Sequence, residues 1–568
     1  MDSHELPQAP TRLLWWAGIL GAAAALAVGE VFDRLSTQTL SLVVAIGEWV
    51  IDLTPGDIVA GSINTIGTLQ KPLLIVGITV VALLLGGFFN QRVKGHATKI
   101  IVFFGIFRII GAIGGARSDL TSAGLSWLSA LVAAFVGAIT TVLLTRAATP
   151  QTAAADENAE FITSNADQTK PGLARLAESV EGAPVLATPG TPMSQATDRR
   201  KFLSFGGAAV GSAALLTASR VGRTGVADRA RDELLSRSTT SVAPNSGTAV
   251  TTTPPSPLPS GSFDSVPGLS PRIVPISPQD EFYLIDTALQ KPQVSLSEWS
   301  LSVDGFVDNE STFSYDDLAS MDQIEREVTL SCVSNPVGGE LVGNAMWRGV
   351  ALSDVLDAAG IRDPQDMTTQ IFSRSVDGWT CGFPTPLAYD GRTAMIALEM
   401  NGEPLPIIHG FPARLVIAGL YGYVSATKWL EQISITDWDD VDGFWIPRGW
   451  SKEGPVKTQS RIDVPSSGDR IAPGPTVLAG VAWSPTIGIE RVEVAINDDD
   501  SWVEVELAEP GSDETWVQWK YDWDAPPGDH LVAVRATDKD GFTQSPIPVA
   551  PAPNGAEGYH VVRVRVEA

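Results

Sequence analysis

Residues 395–418 read Met395-Ile396-Ala397-Leu398-Glu399-Met400-Asn401-Gly402-Glu403-Pro404-Leu405-Pro406-Ile407-Ile408-His409-Gly410-Phe411-Pro412-Ala413-Arg414-Leu415-Val416-Ile417-Ala418. Strand-like runs stand at both ends, Met395–Met400 and Arg414–Ala418, and the block between them carries a histidine and leads into an arginine. Outward from this block, Trp299–Val307, Glu325–Cys332, Thr369–Ser373 and Leu430–Thr436 are further strand-like runs, and Leu352–Ala359 has helical spacing. No ordered βαβ repeat links them, and no Gly-rich phosphate loop of dinucleotide or P-loop type is present. The pattern predicts an α+β domain.

The whole chain has 568 residues, enough for several domains. Apolar residues make up 44% and charged residues only 18%, yet the formal net charge is -26. That combination predicts a membrane part joined to an acidic, water-facing part. The acidic balance argues against nucleic acid as a partner. Two cysteines exclude a disulfide framework, a zinc ribbon and a Cys-ligated iron–sulfur cluster. Five histidines leave little room for haem. Any metal must be held mostly by something other than side chains.

The membrane part is predicted over residues 1–146. Leu13–Gly29, Pro72–Phe89, Ile100–Ala116 and Gly124–Leu144 each approach the length needed to cross a bilayer. Thr39–Ile51 is shorter, carries Glu48, and reads as interfacial or re-entrant. Arg92, Lys94 and Lys99 place the 89–100 loop in the cytoplasm, and the acids between 30 and 71 place that connection outside. Arg108 lies mid-span, where a charge either marks function or is paired or snorkelled. The Gly-rich run Gly111–Gly115 reads as close helix packing.

Residues 147–198 lack periodicity and read as a disordered cytoplasmic linker. Residues 199–220 open Arg199-Arg200-Lys201-Phe202-Leu203 and continue into a weakly apolar run. They resemble a twin-arginine export signal retained as an anchor; the alternative is an ordinary fifth helix with a positive-inside flank. Residues 221–262 read as a Ser/Thr/Pro-rich spacer.

Several motifs then carry a resemblance to a known family. They are Thr329-Leu330-Ser331-Cys332 with Asn335, Gly343–Val350, Ser375-Val376-Asp377-Gly378, the Met400–Arg414 block, and Lys428-Trp429-Leu430. In this order they resemble the molybdopterin-binding domain of the sulfite oxidase family, over about 276–465 within a catalytic domain drawn at 263–465. The resemblance implies a molybdenum–molybdopterin cofactor whose dithiolene supplies two sulfurs, so that the protein need add one soft thiolate. Cys332 holds the matching position and is the expected metal ligand; Cys381 matches no ligand position. Arg414 and Lys428 suit an anionic group, and His409 a pterin or phosphate oxygen. Asp280, Phe282 and Tyr283 correspond to the family's N-terminal pterin-contacting segment, and Ser425 and Thr427 to its cofactor loop. Ser373, Ser375 and Asp377 are further cofactor-binding candidates.

The chain departs from the family where sulfite would sit. Ile285 occupies one arginine position, and Val333-Ser334-Asn335-Pro336-Val337-Gly338-Gly339 brings no arginine after Cys332. Trp450 stands where the active-site tyrosine is expected; with Arg448 it is a candidate catalytic residue, and Trp379 and Trp445 are candidate pocket walls. A doubly charged substrate in a pocket poor in cations would be poorly compensated. The expected substrate is therefore a less charged oxo compound of sulfoxide or N-oxide type, with sulfite oxidation as the alternative.

Residues 466–568 alternate apolar and polar, as in Val492–Ile496 and Leu531–Ala536, and predict a β-sandwich. Gly480–Ser484 and Trp523–Gly528 resemble the family's immunoglobulin-like dimerisation domain. The expected architecture is multidomain: an α-helical membrane region, an α+β molybdopterin domain and an all-β immunoglobulin-like sandwich. The expected function is a membrane-anchored, outward-facing molybdopterin-dependent oxidoreductase without haem or iron–sulfur cluster. Its electrons would pass to a separate cytochrome, quinone or haem membrane protein, and a homodimer would form through the C-terminal domain. A rival of another class is an inactive membrane-anchored binding protein that keeps the fold.

Overall fold

The structure is a computed structural model, and it describes residues 9–36, 39–55, 58, 69–117, 121–149, 225–240, 263 and 275–567 apart from 498–500. The twin-arginine stretch, the linker from residue 150 and the spacer from 241 to 262 lie outside the described residues, apart from the ends noted here. The chain divides into two compact units, Met1–Leu53 with Leu69–Arg223, and Thr54–Thr68 with Thr224–Ala568.

In the first unit, helices Thr11–Leu35, Gln70–Arg92, Ala97–Arg117 and Ala123–Ala148 are long and apolar enough to cross a membrane. They fall on the four expected spans, and Leu42–Leu53 forms the expected shorter helix. Small residues let the helices approach. Gly18 lies against Gly86, Gly114 against Ala45 and Gly115 against Ser126. Asn90 donates from Nδ2 to the Leu14 carbonyl at 2.7 Å and to Thr145 at 3.2 Å, which ties three helices by their polar groups. The Arg108 guanidinium lies 5.7 Å from the centre of the Trp127 ring, a cation–π contact.

The second unit holds two regions with separate cores. In the first region β1 (Ser300–Gly305), β2 (Ser311–Ser314), β5 (Thr369–Ser375), β6 (Thr380–Pro384) and β10 (Leu430–Asp437) form one sheet, in the order β2-β1-β10-β5-β6. Strands β3 (Gln323–Ser331), β4 (Val342–Ala351), β7 (Ala394–Met400) and β8 (Glu403–Pro404) form another, with β9 (Arg414–Ile417) beside β7. Helix Leu352–Ala359 buries Leu352, Val355, Leu356 and Ala359, the spacing that puts one apolar face on the core. Mixed sheets with scattered helices match the predicted α+β class.

Within the stretch expected to be spacer, the structure forms helix Val226–Thr240. Ala227, Ala230 and Leu234 recur at helical spacing and pack into the core of the α+β region. Arg231 binds the Pro404 carbonyl at 3.0 Å and the Glu403 carboxylate at 2.8 Å. Low apolar content hid this helix from the sequence, because three small contacts suffice to dock it.

The C-terminal region is two sheets around a common core. One has the order β11-β13-β17-β16, from β11 (Gln459–Val464), β13 (Gly474–Trp483), β16 (Glu506–Leu507) and β17 (Val517–Ala525). The other has the order β12-β19-β18-β14-β15, from β12 (Arg470–Ile471), β14 (Ile489–Ile496), β15 (Val503–Glu504), β18 (Gly528–Asp538) and β19 (His560–Val566). Its first strand begins at Gln459, ahead of the expected boundary at 466. Along β13, Leu478 and Ala482 enter the inter-sheet core. The alternate residues Ala479, Val481 and Trp483 pack with Val342 of β4 and Trp516. Both faces of that strand are therefore covered, and the two regions are fastened together. The Trp516 N–H donates to Thr329 Oγ1 at 2.7 Å, and the Thr393 N–H to the Glu514 carboxylate at 2.6 Å.

Candidate active site

Strand β3 pairs antiparallel with β4 through Thr329–Asn344 and Ser331–Val342, which delivers Cys332 at the end of the strand. The Cys332 N–H closes the following loop on the Leu341 carbonyl at 2.9 Å. The Asn335 N–H bonds the Cys332 carbonyl at 3.0 Å, and its Oδ1 accepts from the Leu341 N–H at 2.9 Å. The Cys332 Sγ lies 2.9 Å from Ser334 Oγ. Burial pushes the Cys332 thiol up, and the hydrogen bonds from Ser334 and the charge on Lys428 pull it down.

Pairing of β7 with β9, Ala394 to Ile417 and Ala397 to Arg414, folds the Met400–Arg414 block back on itself. His409 is 1% exposed. Its Nε2 lies 2.8 Å from the Gln279 carbonyl, so Nε2 carries the proton. Burial lowers its pKa to about 4, and the ring is neutral near pH 7. Nδ1 is buried and unpartnered among the described residues. It is therefore an acceptor that fits an N–H or O–H donor.

Arg414 is buried over the Trp347 ring, 4.9 Å from its centre, and donates to the His409 carbonyl at 3.2 Å. Burial lowers it to about 10, so it remains a cation at neutral pH. Lys428 lies 3.1 Å from Asp286, which also pairs with Lys291 at 2.6 Å. Burial pulls Lys428 down to about 8 against the opposing pull of Asp286. Tyr283 faces both Cys332 and Arg414 electrostatically, and burial raises its pKa. Phe282 stacks on Tyr283 and meets the His409 ring edge-on at 5.5 Å. Cys332, Tyr283, His409, Arg414 and Lys428 are thus brought to one place.

Other expected residues are placed differently. Asp280 is exposed on a turn. The Ser373 hydroxyl lies 2.7 Å from Thr427 Oγ1, and both contact Cys381, at 3.4 and 3.1 Å. Ser425 bonds back to the Tyr421 carbonyl at 3.1 Å. Asp377 is mostly buried; its carboxylate accepts from the Trp379 N–H, its own N–H donates to Ser375 Oγ, and burial raises its pKa. Trp450 is buried among Tyr423 and Trp445, and Arg448 stacks on Phe444 while donating to the Phe444 carbonyl. Asp286, Lys291 and Tyr421 are site neighbours that sequence reasoning missed. They lie in irregular loops, where no periodic signal exists. Among the described residues, no three His, Cys, Asp or Glu side chains converge as a metal-ligand group.

Residues 288–445 match the family model for the oxidoreductase molybdopterin binding domain. Mitochondrial sulfite oxidase of Rattus norvegicus is 29% identical over 331 residues, 49% of this chain and 59% of that protein. The uncharacterized oxidoreductase YuiH of Bacillus subtilis is 31% identical over 159 residues, 28% of this chain and 75% of that protein. The sulfane dehydrogenase SoxCD of Paracoccus pantotrophus overlays 58% of this chain and 98% of its own with 21% identity and a TM-score of 0.45. The match spans 56–59% of the length of the first mammalian sulfite oxidases it resembles. These matches cover the region that holds Cys332, His409 and Arg414, and the chain belongs to the sulfite oxidase family of molybdopterin-dependent oxidoreductases.

Proposed function

We propose that this chain is a membrane-anchored oxidoreductase that holds a molybdenum–molybdopterin cofactor through Cys332 and acts on a weakly charged oxo compound outside the cytoplasm. The four long apolar helices and the twin-arginine-like stretch that precedes the α+β region in the sequence support that placement. When bound, the cofactor supplies two-electron redox and oxygen-atom chemistry. Electrons leave to a separate partner, a cytochrome, quinone or haem membrane protein. The two-sheet C-terminal region serves as an immunoglobulin-like dimerisation domain.

The residues present fit the cofactor. The open acceptor at His409 Nδ1 suits a pterin N–H, and Arg414 suits a phosphate oxygen. Cys332 offers a single sulfur; burial holds its thiol above the usual range, against the pull of Ser334 and Lys428. Phe282 packs between Tyr283 and the His409 ring and holds that ring in place.

The observation that carries the substrate reading is the charge around Cys332. Lys428 is already paired with Asp286, the loop after Cys332 holds no arginine, and Ile285 stands 39% exposed at a family arginine position. Arg414 is buried, bonded to the His409 carbonyl and suited to the cofactor phosphate, so a dianionic substrate would be poorly compensated. Sulfite oxidation is the second reading, favoured by the mammalian relatives named above. The test compares reduced-dye oxidation by sulfoxides and N-oxides with sulfite-dependent dye reduction by the full chain in detergent. Rapid sulfite turnover without sulfoxide turnover sinks the substrate reading. Absence of molybdenum from protein exported in molybdate-replete cells favours the inactive binding protein.

A further inference from the structure

The loop between Cys332 and Leu341 is held from outside by the C-terminal region. Arg461, on β11, is buried with Asp463 in an ion pair of 2.9 Å, their side chains 8% and 6% exposed. Its Nη1 crosses to the Gly339 carbonyl at 3.0 Å. His560, at the start of β19, lies against Gly338, whose φ of +72° and missing side chain let the imidazole close on the loop backbone. The Ile462 N–H fixes that ring by donating to His560 Nδ1 at 3.0 Å. On the inner side the same loop is closed by the Cys332–Leu341 and Asn335–Leu341 hydrogen bonds. The strand that carries the thiol thus ends in a loop whose far side is clamped by both sheets of the C-terminal region, through β11 and β19.

We propose that Arg461 is a positioning residue for Cys332, acting through Gly339 with His560 as its second contact. The C-terminal region then does more than pair subunits, because it sets the orientation of the thiol that the first region supplies. A buried guanidinium bonded to a carbonyl and paired in charge with a carboxylate is held in place, whereas Lys would offer a mobile point charge. This inference rests on Cys332 being the functional thiol, but its test does not require bound molybdenum.

The experiment labels the full chain, purified in detergent from molybdate-depleted cells, with iodoacetamide, and follows each cysteine by mass spectrometry. Cys381 sits apart from the loop and is the internal control. Losing a hydrogen bond to a charged group should open the loop and speed Cys332 labelling about tenfold in Arg461→Met, with Cys381 unchanged. Arg461→Lys should restore part of the protection. His560→Ala removes only the ring packed on Gly338 and should move Cys332 the same way by about threefold, which keeps the test open if Arg461→Met fails to fold. Equal acceleration at both cysteines, or an unchanged rate at Cys332 in the folded variants, overturns the proposal. Molybdenum content of the Cys332→Ala variant tests the ligand reading separately.

Discussion

Cys332 and Cys381 are both buried thiols in the same α+β region, and their surroundings differ in kind. Cys381, on β6, shares its sulfur with the hydroxyls of Ser373 and Thr427, which also bond each other. That set satisfies itself, and burial pushes the thiol up to about 11. Cys332 ends a strand beside one hydroxyl, with Lys428 near enough to favour the thiolate and with Tyr283 and Tyr421 facing it electrostatically. Burial alone makes a thiol inert. A nearby cation and an open neighbourhood set Cys332 apart from Cys381, whose partners satisfy one another.

The sharpest way to break this contrast is to remove each sulfur. Cys332→Ala should lower bound molybdenum and turnover by at least about a hundredfold, whereas Cys381→Ala should keep both and lose only stability. Metal analysis of the two purified variants decides it, and equal metal in both sinks the assignment.

His409 should produce the next largest effect. Its pKa is about 4 in the folded chain against the ordinary 6.5, so on acidification the unfolded chain takes up the proton first. The stabilisation is complete above about pH 6.5 and is lost progressively as the pH falls to about 4, on the order of 3 kcal/mol. His560 is likewise lowered to about 4 and adds a contribution of the same sign. Denaturant unfolding of the full chain should therefore weaken over that window, and His409→Gln should flatten the slope by roughly half. An unchanged slope would show that His409 is not held neutral.

Thr427→Val should cost about 1 kcal/mol, because it leaves the Ser373 hydroxyl with a lost partner, and should leave molybdenum binding intact. Loss of molybdenum in that variant would move Thr427 back among the cofactor-binding residues. The smallest effect is expected for Arg231→Ala, about 0.5–1 kcal/mol from a partly exposed ion pair, read as a small drop in unfolding midpoint. A larger drop would mean that helix Val226–Thr240 holds the Glu403–His409 stretch more tightly than its contacts indicate.

The long apolar helices were legible because their signal is length and apolar content, which survive without knowledge of neighbours. The strands around the Met400–Arg414 block were legible as short continuous apolar runs, since β7 and β9 are buried almost throughout, while β10 alternates in part. Site chemistry was legible only in part. Cys332, His409, Arg414 and Lys428 converge, while the Ser373 and Thr427 hydroxyls lie against Cys381. A hydroxyl in a motif carries no mark of which sulfur it will face. Asp286 and Lys291 were missed because irregular loops have no period, and helix Val226–Thr240 because it docks through small residues.

By itself the sequence determined the division into apolar helices and an acidic β-rich part, the α+β class, and the thiol with its accompanying His and Arg. The first two follow from composition and periodicity, which are local, and the third from the order of motifs that resemble the family. Only the tertiary structure decided which nitrogen of His409 is open, that Lys428 is already paired, and that Arg461 reaches the Gly339 carbonyl. Each of these depends on residues more than a hundred positions apart, brought together by sheet pairing and burial that no stretch of sequence contains.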